Sequence, residues 1–111
     1  MLTKTQLKNN LKRIKIKEKF IIIHSDITGL YFKNFSLKDL WKIILSSFGK
    51  DKTYIFPAFT LKKKNLKWVY SKSRSDAGLL SEYFRKQISD FRTIHPLHSV
   101  CVFGKNKDKI K

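Results

Sequence analysis

The stretch FRTIHPLHSVCVFGK, from Phe91 to Lys105, holds most of the side chains that could do chemistry at neutral pH. His95 and His98 flank Pro96, Cys101 follows three residues later, and His24 is the remaining imidazole. Such imidazoles can be acids, bases or metal ligands. The proline and the apolar run behind it argue against one shared metal-facing side, so no metal is expected and structural histidines are the plainer reading. Cys101 lies inside VCVF, where a thiolate would be poorly solvated, which argues against an acyl-carrying nucleophile. Among the few carboxylates, Asp76 reads as a helix cap and Glu82 as an exposed or partly paired helix residue; Asp26 is the third candidate acid. Lys62, Lys63 and Lys64 could hold phosphates, although a solvated loop run is the commoner meaning of such a triplet.

These residues need a frame, and 111 residues fit one domain or part of one. Apolar residues make up 41% and aromatics 14%, enough for a packed core rather than a disordered chain. With 25 Lys+Arg against 8 Asp+Glu the formal charge is +17, a field that attracts any polyanion. Only Arg13, Arg74, Arg85 and Arg92 are arginines, however, and specific readers of bases lean on the guanidinium fork. That balance argues against a nucleic-acid-binding domain. One cysteine excludes an intrachain disulfide framework and points to a reducing compartment. No segment reaches the roughly 20 apolar residues of a membrane span, and the N-terminus lacks a signal-peptide pattern, so a cytoplasmic protein is expected.

Leu7, Leu11 and Ile14 form one stripe of a short N-terminal helix with a threonine near its start. KFIIIHS reads as a strand buried on both faces. The spacing of Leu37, Leu40, Trp41, Ile44, Leu45 and Phe48 predicts a helix begun by Ser36 and closed by Gly49. Thr53–Phe56 is a second strand, halted by Pro57. Residues 61–75 have no consistent period and read as a long loop. A further helix follows, capped by Ser75 or Asp76, with Leu79, Leu80, Tyr83 and Phe84 on its buried face. HSVCVFG is a third strand ended by Gly104, and residues 105–111 form a charged tail. Alternation of this kind predicts an α/β fold with a mainly parallel sheet flanked by helices, whose ligands sit beyond the carboxyl ends of the strands. Three strands make a thin sheet, so an incomplete, truncated domain is expected.

Three islands, in order, resemble the aminoglycoside 3-N-acetyltransferase family. IIIHSDITGL (Ile21 to Leu30) resembles its first strand and Gly-containing turn, and TYIFPAFT (Thr53 to Thr60) its second strand. SRSDAGLLSEYFRKQISDFRTIHPLHSVCVFG is similar to the family's Ser-Asp-x-Gly-x-x-x-Glu-x-Phe-Arg helix followed by Arg-x-x-His-Pro-x-x-Ser. The likeness covers Lys19 to Gly104, and residues 1–111 then form a single N-terminal portion of such a domain.

The resemblance implies acetyl transfer from acetyl-CoA, the co-substrate, to an amino group of an aminoglycoside or related amino sugar. It implies cofactor-binding or pocket-shaping positions at His24, Ser25, Asp26, Thr28, Gly29, Ser75, Asp76, Arg92, His95, Pro96 and Ser99. The histidine and acid that activate the amine are expected beyond residue 111, so no catalytic residue is assigned within the chain. The family usually carries Ser or Thr where this chain has Asp26, a residue that relatives acting on other amino sugars can carry. The alternatives are a non-catalytic fragment that self-associates through an open sheet edge and a small basic nucleic-acid-binding domain.

Overall fold

The computed structural model describes residues 3–24, 36–59, 75, 77–94 and 99–110. Helix α1 (Lys4–Lys12) opens with a capping box: Thr3 Oγ accepts from the Gln6 amide at 3.1 Å and the Gln6 side chain accepts from Thr3 N at 3.0 Å. Leu7 and Leu11 pack against the core, whereas Ile14 falls past the helix end and is 51% exposed. Strand β1 (Phe20–Ile22) follows, then α2 (Leu37–Phe48), β2 (Thr53–Pro57), α3 (Leu79–Gln87), β3 (Phe91–Arg92), β4 (Val100–Gly104) and a short 3₁₀ turn, Lys107–Lys109.

Helix α2 begins and ends as its sequence predicts. Ser36 and Asp39 form a second capping box, and Gly49 closes the helix at φ 109°, a conformation that glycine adopts without a Cβ penalty. Trp41 on this helix is the centre of the core. Its ring meets Tyr54, Phe56, Phe84 and Phe103 edge-on, with centroids 5.0–6.3 Å away, while Phe56 stacks on Phe84 at 4.1 Å. Those partners come from β2, α3 and β4, so one indole joins α2 and α3 to the sheet. Tyr54 is fully buried and donates to the Gly49 carbonyl at 2.6 Å; burial, with Asp51 nearby, pushes its phenol up to about 12.

Among the described residues four strands form one sheet in the order β1-β2-β4-β3. β1 pairs with β2 in parallel, but β2 with β4 and β4 with β3 are antiparallel. The sheet is therefore mixed rather than mainly parallel. The cause is β3, a two-residue strand too short to show any alternation in sequence. It runs in the same direction as β1 and β2, and β4 returns between β2 and β3 in the opposite sense. β1 also departs from the expected doubly buried strand. It is an edge strand, with Ile21 in the core and Ile22 71% exposed.

At the start of the sheet, Lys52 is buried and its ammonium donates to the carbonyls of Ile16 (3.1 Å) and Glu18 (2.7 Å), clamping the arm between α1 and β1. Gly104 ends β4 at φ 136°, where a Cβ would stand 2.4 Å from the Lys52 carbonyl oxygen. The predicted tail contains the 3₁₀ turn, joined to the sheet by a 2.8 Å bond from Asn106 N to Thr53 Oγ1. The expected loop at residues 61–74 lies outside the described residues. No helix among the described residues is long and apolar enough to cross a membrane.

Candidate functional site

Shared direction brings the carboxyl ends of β1, β2 and β3 to one edge of the sheet, together with the first residues of β4. This is the edge at which a strand-end ligand site is expected. Its structural centre is Ala58, the fully buried residue directly after β2. Ala58 N donates to the Ser99 carbonyl at 2.8 Å, and the Ala58 carbonyl accepts from Ser99 Oγ at 2.7 Å and from Arg92 Nη2. Arg92 Nε donates in turn to Ser99 Oγ at 3.2 Å. The guanidinium and the serine hydroxyl thus share one backbone oxygen. Buried polar groups require such partners, since an orphaned one costs about 1–3 kcal/mol.

The same knot fixes the connection between β3 and β4. Thr93 N donates to the Val100 carbonyl and Val100 N to Thr93 Oγ1, both at 2.9 Å. Both ends of the segment that carries His95 and Pro96 are therefore anchored. Burial lowers the Arg92 pKa, with Arg85 acting in the same sense while Cys101 and Glu82 oppose it. An arginine starts so high that it stays protonated. Cys101, opposite Arg92 in the ladder, is fully buried. Burial pushes its thiol up, against the lowering influence of Ser89 and the nearby arginines. A protonated, enclosed thiol does not act as a nucleophile.

A second polar strut ties α3 to the same edge. Ser75 N donates to Glu82 Oε1 at 3.2 Å, Ser75 Oγ reaches the Pro57 carbonyl at 3.5 Å, and Ala77 N donates to Ser75 Oγ at 3.2 Å. Glu82 Oε1 also accepts from Arg85 Nε, and these two side chains are only 12% and 9% exposed. Of the two readings of Glu82, exposed or partly paired, the second holds: it is a paired carboxylate, and an enclosed one. Ser75 does not cap the helix. Its hydroxyl is engaged with the Pro57 carbonyl and the Ala77 amide, and the N-cap is Gly78, three residues further on, at φ 125° with no side-chain cap bond. Leu80 and Phe84 are buried as expected, but Leu79 is 51% exposed, because the helix begins only at that residue.

Of the residues singled out in the sequence, Ser75, Arg92 and Ser99 converge around the end of β2, all at least 93% buried and bonded largely to backbone. His24 leaves β1 at the same edge and is exposed. Ser25, Asp26, Thr28, Gly29, Asp76, His95 and Pro96 lie outside the described residues, as does His98. The Ala58 carbonyl, Thr93 and the Glu82–Arg85 pair go beyond what the sequence reading contains. The i, i+3 spacing of Glu82 and Arg85 is the available signal for the pair; a backbone carbonyl leaves none. Among the described residues no group of three or more His, Cys, Asp or Glu could hold a metal ion.

A family model described as aminoglycoside 3-N-acetyltransferase matches residues 22–111. No curated protein matches the sequence significantly. Among solved structures, the apoenzyme of aminoglycoside acetyltransferase AAC(3)-IVa superposes with a TM-score of 0.78 at 17% identity, over 97% of this chain and 43% of that one. AAC-IIIb in its binary complex with CoASH gives 0.76 at 16%, over 94% and 46% respectively. The YokD protein from Bacillus subtilis gives 0.78 at 17%, over 98% and 52%. Likeness at such identities establishes the fold, and the chain spans about half the length of these structures.

Proposed function

Because the chain belongs to the aminoglycoside 3-N-acetyltransferase family, we propose that it forms the acetyl-CoA side of an enzyme that acetylates an amino group of an aminoglycoside or related amino sugar. The observation that carries this reading is the buried Arg92–Ser99–Ala58 knot, which holds three strand ends and the start of the fourth strand at one edge. Two structural neighbours are in keeping with it: AAC-IIIb was solved with CoASH, and a mutant of AAC(3)-IVa with a gentamicin.

The reaction forms a C–N bond at the thioester carbonyl and breaks its C–S bond. The amine proton passes to a base and the CoA sulfur leaves as the thiolate. The enzyme must therefore orient the thioester, hold the amine close and supply the base. Arg92, Ser99 and Ser75 act as positioning residues, since each is buried and bonds to the backbone carbonyl of Ala58 or Pro57. The contacts fall to the turn at Ser25, Asp26, Thr28 and Gly29, to Asp76 at the approach to α3, and to His24 on the rim, with His95 supporting them. Gly29 lets backbone approach the ligand closely. The described edge fits an anionic co-substrate: its enclosed carboxylate, Glu82, is neutralised by Arg85. The base belongs to none of the described residues in this reading.

Calorimetric titration of the chain with CoA at moderate salt, beside ATP, tests the proposal. Saturable binding with about tenfold or greater preference for CoA, about 1.4 kcal/mol, is the expected result. Equal binding of both anions would leave only the generic attraction of a +17 chain. Binding of neither would overturn the reading in favour of a non-catalytic fragment.

A further inference from the structure

Glu82 has a geometry that its place in the first turn of a surface helix does not require. A carboxylate there is ordinarily solvated and interacts only weakly with the helix dipole. Here it folds back over the helix start, loses most of its solvent and accepts from both the Ser75 amide, seven residues away, and Arg85 Nε. Ser75 in turn reaches the last carbonyl of β2 and holds the amide of Ala77. The residues on either side of position 76 are thus both fixed, through one carboxylate and one hydroxyl.

We propose that Glu82 is a positioning residue for the co-substrate edge: it sets where the chain passes from the end of β2 into α3, acting through Ser75. This rests on the acetyl-CoA reading above. Gly78 at the N-cap offers no side-chain acceptor, so the segment before α3 depends on Glu82 for the tie that a cap would ordinarily make. Arg85 serves the same end by cancelling the charge of Glu82, which would otherwise face an incoming phosphate. The pair presents an oriented backbone and no net charge.

The test compares Glu82→Ala with Glu82→Gln, whose amide oxygen can still accept from Ser75 N. Two readouts are taken: CoA affinity by calorimetry, and amide exchange at Ser75 and Ala77 beside that of β2 and β4. Glu82→Ala is expected to weaken CoA binding about tenfold and to speed exchange at Ser75 about tenfold, the worth of one lost hydrogen bond. The amides of β2 and β4 should stay unchanged, and Glu82→Gln should restore both values to within about twofold. Unchanged exchange at Ser75, unchanged affinity in a wild type that binds CoA, or uniform loosening of all strands would overturn the assignment. If the wild type binds no CoA, the acetyl-CoA reading fails and the co-substrate role of Glu82 with it, and exchange at Ser75 then decides only whether Glu82 holds the segment before α3. Should Glu82→Ala fail to fold, Glu82→Asp replaces it: the charge remains, but a side chain one methylene shorter cannot span both partners, and the same outcomes apply.

Discussion

Trp41→Ala should cost about 3–5 kcal/mol of folding stability, the range for deleting a large buried aromatic side chain. Trp41 is 5% exposed, and its ring is in edge contact with four aromatic rings on β2, α3 and β4. Truncation opens a cavity where α2 and α3 meet the sheet. The neighbours cannot collapse into it without giving up the Phe56–Phe84 stack. For a chain of this size the loss corresponds to a fall in melting temperature on the order of 20 °C. Trp41→Phe, which keeps a ring in the site, should lose less than half as much. Thermal melts followed by near-UV circular dichroism check both values. A loss below about 1 kcal/mol would show that the indole is not the keystone of this core.

Arg92→Ala is the second substitution with a large expected effect, and it reports on both stability and the site. Charge-assisted hydrogen bonds contribute about 1.5–3 kcal/mol each, and Arg92 donates one to Ser99 Oγ and one to the Ala58 carbonyl. Relief of the guanidinium's desolvation offsets part of this, since burial already opposes its charge. The net loss should be about 3 kcal/mol. Ser99 Oγ would still donate to Ala58, so β2 and β4 should remain paired. What loosens is β3 and the segment behind it, so CoA affinity should fall about tenfold or more in protein that is still folded. Arg92→Lys should recover little, because one ammonium on a flexible stem cannot reproduce a planar fork bonded to two acceptors. Denaturant melts and calorimetry on the same samples separate the two effects.

How far the sequence reveals this molecule depends on the range of the interaction concerned. Helix α2 is legible because its signals are local: Ser36, the apolar stripe and Gly49 all lie within one turn of what they determine. β2 and β4 are legible as apolar runs bounded by Pro57 and Gly104. β3 leaves no trace, since two residues carry no period, and without it the strands read as a mainly parallel sheet. Ile22 shows the limit of composition in another way: a β-branched run does not reveal whether its strand lies in the middle of a sheet or at the edge. Helix α3 starts later than its sequence suggests because Ser75 has the side chain of a cap, whereas its hydroxyl is committed to the end of β2, a contact eighteen residues away in sequence.

The candidate site is legible in part for the same reason. Arg92 and Ser99 stand out through the family-like motif, and they do meet. That they meet on the carbonyl of Ala58, 34 and 41 residues away, follows only from the pairing of β2 with β4. Glu82 reads as exposed or partly paired because acidic residues in the first turn of a helix are ordinarily solvated; its pairing with Arg85 fits that reading, whereas its enclosure depends on Ser75, seven residues away.

The central claim is that the edge tied by Arg92, Ser99 and Ala58 receives acetyl-CoA. Amide chemical shifts followed by NMR during a CoA titration test it most directly. Changes concentrated at His24, Ser75, Ala77, Thr93 and Ser99 are expected, with little change in the cleft between α1 and α2 lined by Lys4, Lys8 and Lys42. Changes centred on those lysines, and reproduced by ATP at the same concentrations, would contradict it.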